Sequence, residues 1–178
     1  DMAQEHGIQV DLTGFEQARA EQQQRSRDAS APKEVWASGE SAISELQKNV
    51  PPTAFIGYQE TASESKVVAI VSNNQLLDKI GACETAEIVL DRSPFYAESG
   101  GQVGDTGQIK VVSGNSPGES IAKVLDTTKS NGYWLHKVTI THGEIRVGDI
   151  VKCDVDAVRR LDIMRNHTTT HLLQAALR

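Results

Sequence analysis

The spacing of apolar residues along the chain changes near residue 53. Upstream, residues 11–29 are rich in Glu, Gln and Arg with only occasional apolar positions, a pattern typical of an exposed helix. A second, shorter helix is predicted over residues 38–46. The segment Asn-Val-Pro-Pro at residues 49–52 then ends the helical region, because two adjacent prolines cannot continue a helix.

Downstream, apolar and polar residues alternate in short runs rich in Val and Ile, separated by Gly, Asn, Ser and Asp. Runs of this kind at fairly regular spacing favour a small antiparallel barrel or sandwich. A last helix is predicted after Asp156, which is a candidate N-cap. The predicted strands are residues 53–58, 66–72, 86–91, 107–113, 120–126, 133–141 and 149–156.

These patterns define a fold class that is mainly β with flanking helices (α+β). We expect a helical linker segment over residues 1–50, a β-barrel domain with a Gly-rich loop over 51–156, and a terminal helix over 157–178. The chain opens with Asp1 and not with Met, which suggests a piece of a longer protein.

The net charge of −6 gives no overall basic footprint for nucleic acid. A local basic cluster precedes the end of the chain and could meet phosphates or simply form a solvated helix face; it consists of Arg159, Arg160 and Arg165. No segment has the run of about 20 apolar residues that a membrane span needs. Cys83 and Cys153 stand in apolar settings and are predicted to be buried free thiols of a reducing compartment.

Two histidines, His167 and His171, stand four residues apart on the predicted terminal helix. This spacing places both imidazoles on one face, where they can reach one tetrahedral zinc, although two exposed polar residues would show the same spacing. The residues between them are Thr-Thr-Thr, so the glutamate of the His-Glu-x-x-His zinc proteases is absent. The apolar run at residues 172–177 predicts a mostly buried helix, with the histidines in a semi-enclosed pocket.

A polar, glycine-dense loop lies between two predicted strands, at residues 91–107. The pair Gly100 and Gly101 would allow positive φ angles or a close approach of backbone N–H groups to a ligand. The loop is neither a Walker loop nor a dinucleotide fingerprint, because no Gly-Lys-Ser/Thr and no helix follows the glycines. A hairpin loop whose glycines only serve turns would look the same.

The two motifs together are more specific than either alone. Phe-Tyr-x-x-x-Gly-Gly-Gln-x-x-Asp-x-Gly, followed later by Arg-Asn-His-Thr-x-Thr-His-Leu-Leu, resembles the start of the editing region of alanyl-tRNA synthetases. Residues 1–29 also resemble the stretch that follows the tRNA-binding part of those enzymes, where a helix leads out, here at residues 10–29. The resemblance therefore covers nearly the whole chain. It implies that residues 157–178 are the first helix of a truncated α/β editing domain.

The resemblance implies a ligase that charges tRNA(Ala) with alanine, using ATP and magnesium that are not bound in this part. A pocket that fits alanine rejects glycine and serine only weakly, because glycine is smaller and serine adds only one hydroxyl. In the family an editing site therefore hydrolyses mischarged Ser- and Gly-tRNA(Ala). In the family that site holds zinc between a His-x-x-x-His and a later Cys-x-x-x-His. The first pair corresponds to His167 and His171, and the second has no counterpart here, so we expect a half-site that binds zinc weakly and a fragment inactive alone.

The glycine loop is then expected to border the editing pocket, and the basic cluster to meet tRNA phosphates. The expected substrate- or tRNA-binding residues are Gly100, Gly101, Gln102, Asp105, Arg159, Arg160 and Arg165. The implied location is the cytoplasm, without a membrane partner, and exposed apolar residues of the terminal helix would allow it to self-associate. A non-catalytic tRNA-binding or spacer barrel, a threonyl-type editing module and an unrelated zinc hydrolase stay open as alternatives.

Overall fold

The computed structural model describes residues 39–99 and 101–177, together with Gly14 and Glu16, which are both helical. The prediction of a helix over residues 11–29 otherwise lies outside the described residues. All elements named below belong to one compact unit, Ser38–Arg178. The helices are α1 (Gly39–Asn49) and α2 (Ala157–Ala176). The strands are β1 (Ala54–Phe55), β2 (Ala62–Ser72), β3 (Gln75–Leu77), β4 (Lys79–Gly81), β5 (Thr85–Leu90), β6 (Arg92–Ser93), β7 (Gly107–Ser113), β8 (Ile121–Ser130), β9 (Tyr133–His142), β10 (Glu144–Arg146) and β11 (Ile150–Val155).

Six of these strands close into an antiparallel barrel in the order β2–β5–β9–β8–β7–β11, with β11 pairing back onto β2. The predicted fold class, mainly β with flanking helices, is confirmed. Closure leaves the barrel without a free sheet edge. The closing seam pairs five residues of each strand, from Ile150 opposite Lys66 to Asp154 opposite Ala62. Two further backbone bonds extend it: Gly148 N–H donates to the Val67 carbonyl at 2.8 Å, and Val67 N–H donates to the Asp149 carbonyl at 2.9 Å.

The first predicted strand, residues 53–58, is not a barrel strand. Only Ala54–Phe55 is extended, and it pairs in parallel with β6 outside the barrel. The chain turns away immediately afterwards, and a Cβ on Gly57 would stand 2.2 Å from the Pro94 carbonyl oxygen. This close crossing of two backbones brings residues 55–58 against the start of the glycine loop.

Two hydrophobic clusters lie on opposite faces of the barrel wall. The interior holds aliphatic side chains with Phe95 and Cys153, and α1 packs Ala42, Ile43 and Leu46 against the outside of the wall. A bulge in β2 between Val67 and Ala69 changes which residues face inward, because an extra residue shifts the two-residue alternation of a strand.

The two cysteines are free but differ in environment. Cys153 lies inside the barrel, and burial raises the pKa of its thiol to about 12, so it is a core residue as the alternation of its strand predicts. The prediction of a buried Cys83 is wrong, because this residue is exposed in the turn between β4 and β5 at a φ of 65°. A turn exposes its side chains even where the neighbouring residues are apolar.

A buried polar pair stands where the barrel meets the glycine loop. His136 of β9 is fully buried, and its Nδ1–H donates to the Ile88 carbonyl at 2.8 Å. Nε2 is therefore left to accept from the Ser93 hydroxyl at 2.7 Å, while Ser93 Oγ accepts from Phe95 N–H at 3.1 Å. Burial lowers the pKa of His136 to about 4, and the backbone bond offsets this only in part.

The low pKa predicts a stability loss in mild acid. Between pH 6.5 and about 4 the unfolded chain binds a proton at His136 that the folded chain does not. Stability therefore falls as pH drops through this window, by up to about 3 kcal/mol. Urea unfolding of the wild type and of His136→Gln across this range measures the effect.

The Gln side chain can still donate and accept but does not titrate. We expect the free energy of unfolding of His136→Gln to depend less on pH than that of the wild type. The difference should equal the stability that the wild type loses in this window. Parallel curves for the two proteins would contradict a neutral buried His136.

Candidate functional site

Helix α2 begins where the barrel ends, and its first turn fixes its direction. Asp156 caps it by accepting from Arg159 N–H at 3.0 Å, so the predicted N-cap is confirmed. The prediction of a mostly buried helix is wrong, because no described residue of α2 is buried. Leu172 and Leu173 are 66% and 58% exposed, and Val158 and Met164 in the first half of the helix are 73% and 52% exposed.

Arg160 ties α2 to the barrel. Its Nε donates to Asp105 Oδ2 at 2.9 Å, and its Nη1 donates to the Gly57 carbonyl at 3.0 Å. Its Nη2 donates to the Pro94 carbonyl at 2.5 Å and also to Asp105 Oδ2. The side chains of Arg160 and Asp105 are only 11% and 4% exposed. A guanidinium engaged in this way holds three chain segments together, whereas the sequence suggested a phosphate contact for it.

Asp105 also fixes the glycine loop. Its carboxylate accepts from Tyr96 N–H at 2.7 Å, and its backbone N–H donates to the Tyr96 carbonyl at 2.9 Å. The two sides of the loop are thereby paired at its base, and Asp105 itself is buried.

The tip of the loop is a tight turn. Ser99 and Gln102 exchange backbone hydrogen bonds of 3.2 and 3.0 Å, so the Gln102 N–H is already engaged. Gly101 has a φ of 82°, as expected for a glycine in a tight turn, and no atom lies within 4 Å of a Cβ built there. Gly100 lies outside the described residues.

The other two predicted arginines differ in exposure. Arg159 donates to the Gly104 carbonyl at 2.7 Å and is partly buried. The Arg165 side chain is 74% exposed and pairs only loosely with Asp162 at 3.3 Å. Arg165 is therefore the member of the basic cluster whose charge stands in solvent, and its contact with tRNA stays a prediction.

His167 and His171 face each other on α2. Their Nε2 atoms are 3.2 Å apart, and the ring planes are inclined by 79°. Two imidazole nitrogens bound to one tetrahedral zinc would be about 3.3 Å apart, so this pair fits two of the ligand positions. Among the described residues no group of three or more His, Cys, Asp or Glu is arranged to hold a metal.

The threonines between the histidines are occupied with the helix backbone. Thr168 and Thr169 donate to carbonyls one turn earlier at 3.0 and 2.8 Å, and Thr170 donates to the His167 carbonyl at 2.7 Å. These hydroxyls therefore satisfy local carbonyls, and no carboxylate stands in the Thr-Thr-Thr segment to act as a base.

The histidine pair and the loop tip border the same cavity, here called the histidine groove, of about 510 Å³. Sequence reasoning expected the loop and the histidines to share a pocket, and the described residues of both motifs do line this one. Its lining residues are Gly101, Gln102, Val103, Ile163, Asn166, His167, Thr170 and His171.

A second cavity of about 510 Å³, the tyrosine groove, lies on the other side of α2. It shares Gln102 and His167 with the histidine groove, so the two adjoin. It contains two tyrosines that the sequence did not single out as site residues; it is lined by Gly57, Tyr58, Gln59, Glu60, Thr61, Tyr96, Gln102, Ala157, Arg160, Leu161, Met164, His167 and Thr168.

A barrel with a histidine helix held over a glycine loop defines the candidate site, and comparisons with known proteins assign its family. The family model described as tRNA synthetases class II (A) matches residues 1–159, and the chain belongs to this family. It is 40% identical to the alanine–tRNA ligase of Synechococcus elongatus, 42% to that of Thermus thermophilus and 41% to that of Acetivibrio thermocellus.

Each of these alignments covers 100% of this chain but only 19–20% of the relative. The resemblance to alanyl-tRNA synthetases is thereby confirmed, for a segment about a fifth the length of these relatives. Among the described residues no helix is long and apolar enough to cross a membrane.

The buried ion pair predicts a large stability difference between two arginines of the same helix. Arg160→Gln leaves the Asp105 carboxylate buried without its counter-charge and is expected to destabilise by about 3–5 kcal/mol. Arg165→Gln removes an exposed pair and is expected to cost less than about 1 kcal/mol. Chemical denaturation of the two variants measures both values.

The double variant Asp105→Asn/Arg160→Gln separates the pair from its surroundings. Because it leaves no uncompensated charge, we expect it to be more stable than the sum of the two single changes predicts. Equal stability of Arg160→Gln and Arg165→Gln would refute the structural role of Arg160.

Proposed function

We propose that this chain is the β-barrel and first helix of the editing region of an alanine–tRNA ligase. The parent enzyme charges tRNA(Ala) with alanine, and this region contributes to hydrolysis of mischarged Ser- and Gly-tRNA(Ala). The observation that carries the proposal is the paired imidazoles, 3.2 Å apart, in a groove shared with Gly101 and Gln102 of the glycine loop.

In this proposal His167 and His171 are two of the zinc ligands, and the remaining ligands come from outside the described residues. Zinc, when bound, supplies a positive charge that polarises a carbonyl or a water. Each imidazole would bind the metal through a ring nitrogen in its neutral form. The described chain itself contributes ligands and a groove wall, and no general base between the histidines.

The glycine loop would position the substrate. Its tip projects beside the histidine pair, and the open space at Gly101 leaves room for the end of an extended ligand. Arg165, exposed on the same helix, would meet RNA phosphates as a positioning contact.

A non-catalytic tRNA-binding or spacer barrel is the second candidate. The observation that favours it is that His167 and His171 are both exposed and that the described residues supply no third ligand. The two candidates differ in whether loss of the histidines affects hydrolysis.

The first test replaces the histidines in the intact ligase that carries this segment. His167→Ala and His171→Ala should each lower release of serine from Ser-tRNA(Ala) by about 100-fold or more, because even outer residues around a metal ligand cost 10- to 100-fold. Charging with alanine should be unchanged. His142→Ala replaces another exposed histidine, at the end of β9, and is the matched control.

The 178-residue chain alone is assayed beside the intact protein, and we expect no serine release from it. Undiminished hydrolysis by both histidine variants of the intact ligase would favour the spacer reading. Hydrolysis by the isolated chain would show that the described residues suffice.

The second test concerns the loop tip. Gly101→Val forces a β-branched residue to a φ of 82° and adds bulk beside the histidine groove, so serine release should fall. Gly101→Asn is the matched control, because asparagine tolerates this backbone region and should retain more activity. Hydrolysis rates and tRNA affinity are measured for both, and retention of both quantities in Gly101→Val would contradict a role for the tip.

A further inference from the structure

A cluster of aromatic side chains stands beside the glycine loop, away from the histidines. Phe55 stacks on Trp134 with ring centroids 5.5 Å apart and an interplanar angle of 10°. Tyr58 and Tyr96 meet Phe55 edge-on at 4.9 and 6.1 Å. The cluster gathers two of the chain's three tyrosines and one of its two tryptophans at one surface position.

These rings border a cavity of about 390 Å³, here called the aromatic slot, which is also lined by Glu98, Ser99 and Lys129. Tyr58 is 86% exposed, so the free energy of burying its ring is not used in folding. The ammonium of Lys129 lies over the Trp134 ring, 4.4 Å from its centroid, so a cation stands at the edge of the slot.

We propose that the aromatic slot binds an unpaired RNA nucleobase, with Lys129 meeting the phosphate next to it. Proteins that bind single strands combine aromatic side chains, on which bases stack, with nearby cations that follow the backbone. A peptide segment would also fill an aromatic slot, but it would not need the cation. This inference rests on the proposed function in one respect, which is that it takes RNA as the partner.

The adjoining cavities would give a single RNA strand a continuous path. Tyr58 and Tyr96 line both the aromatic slot and the tyrosine groove, and the tyrosine groove shares His167 with the histidine groove. An RNA strand with one base in the aromatic slot can therefore extend along α2, with its end at the histidine pair. The slot would act as a second anchor for the same strand.

The polar groups of the slot give it a base preference. The Glu98 carboxylate accepts hydrogen bonds and repels phosphate, so the phosphate is placed on the Lys129 side. A carboxylate pairs with the exocyclic amino group of cytosine and adenine, which uracil lacks. We therefore expect the slot to prefer cytosine or adenine to uracil.

The experiment measures quenching of Trp134 emission by single-stranded hexacytidylate and hexauridylate. Trp36→Phe serves as the background, because it leaves Trp134 as the only indole in the chain. A base that stacks on the exposed Tyr58 enters the slot beside Trp134 and should quench this emission, and the cytidine oligomer should bind more tightly than the uridine oligomer. Glu98→Gln should reduce that preference.

Tyr58→Ala should weaken hexacytidylate binding by about 5-fold or more, and Tyr58→Phe, which keeps the ring, should not. Lys129→Gln should lower the salt dependence by about 0.7 in log–log slope. Val112→Ala is the matched control, because Val112 is 54% exposed on β7 and lines no part of the slot.

Unchanged Trp134 emission with both oligomers would overturn the proposal and favour a protein segment as the occupant. Equal affinity of wild type and Tyr58→Ala would overturn it as well. This assay reads binding in the slot and the editing assay reads hydrolysis at the histidines, so failure of one proposal is distinguishable from failure of the other.

Discussion

The geometry of the candidate site depends on one buried ion pair. Arg160 is the single residue through which Gly57, Pro94 and Asp105 are all bonded to α2. Because α2 has no buried residue of its own, hydrophobic packing does little to set its position. A guanidinium can hold such a helix because its planar donors fix direction as well as distance. Together with the Arg159 bond to the Gly104 carbonyl, that contact sets the distance between the loop tip and the histidines.

The barrel and the site are stabilised in different ways. The barrel interior is filled by mostly aliphatic side chains that are at most 2% exposed, and its strands form a closed ring of backbone bonds. The site is made of a loop and a helix joined by polar contacts, which tolerate changes of shape better than close packing does. His136 and Ser93 lie at the boundary, where the last core residues meet the first residues of the loop.

The sequence predicted features that depend on nearby residues. Alternation along the strands predicted the barrel, and Asp156 predicted the start of the last helix, because each signal lies within a few residues. The spacing of the histidines likewise placed both rings on one face. Such features follow from backbone geometry alone.

Long-range features were not predictable in this way. Asp105 and Arg160 are 55 residues apart, and nothing in either neighbourhood indicates the other. The exposure of α2 was missed because an apolar run shows that burial is favourable but not which surface provides it. The run at residues 53–58 has strand composition, yet a crossing of backbones at Gly57, invisible in composition, ends it after two residues.

The close packing of Gly104 divides the glycine loop into two halves with different freedom to evolve. A Cβ at Gly104 would stand 2.2 Å from the Thr127 carbonyl oxygen of β8, so the returning half is confined by a barrel strand. The tip at Gly101 meets no such neighbour. Insertions at the tip would reshape the mouth of the histidine groove while leaving strand register intact, whereas insertions near Gly104 would strain the barrel itself. Sequence changes that alter which ligands the histidine groove admits are therefore expected to accumulate at the tip. A change of shape there reduces the stability of the barrel least.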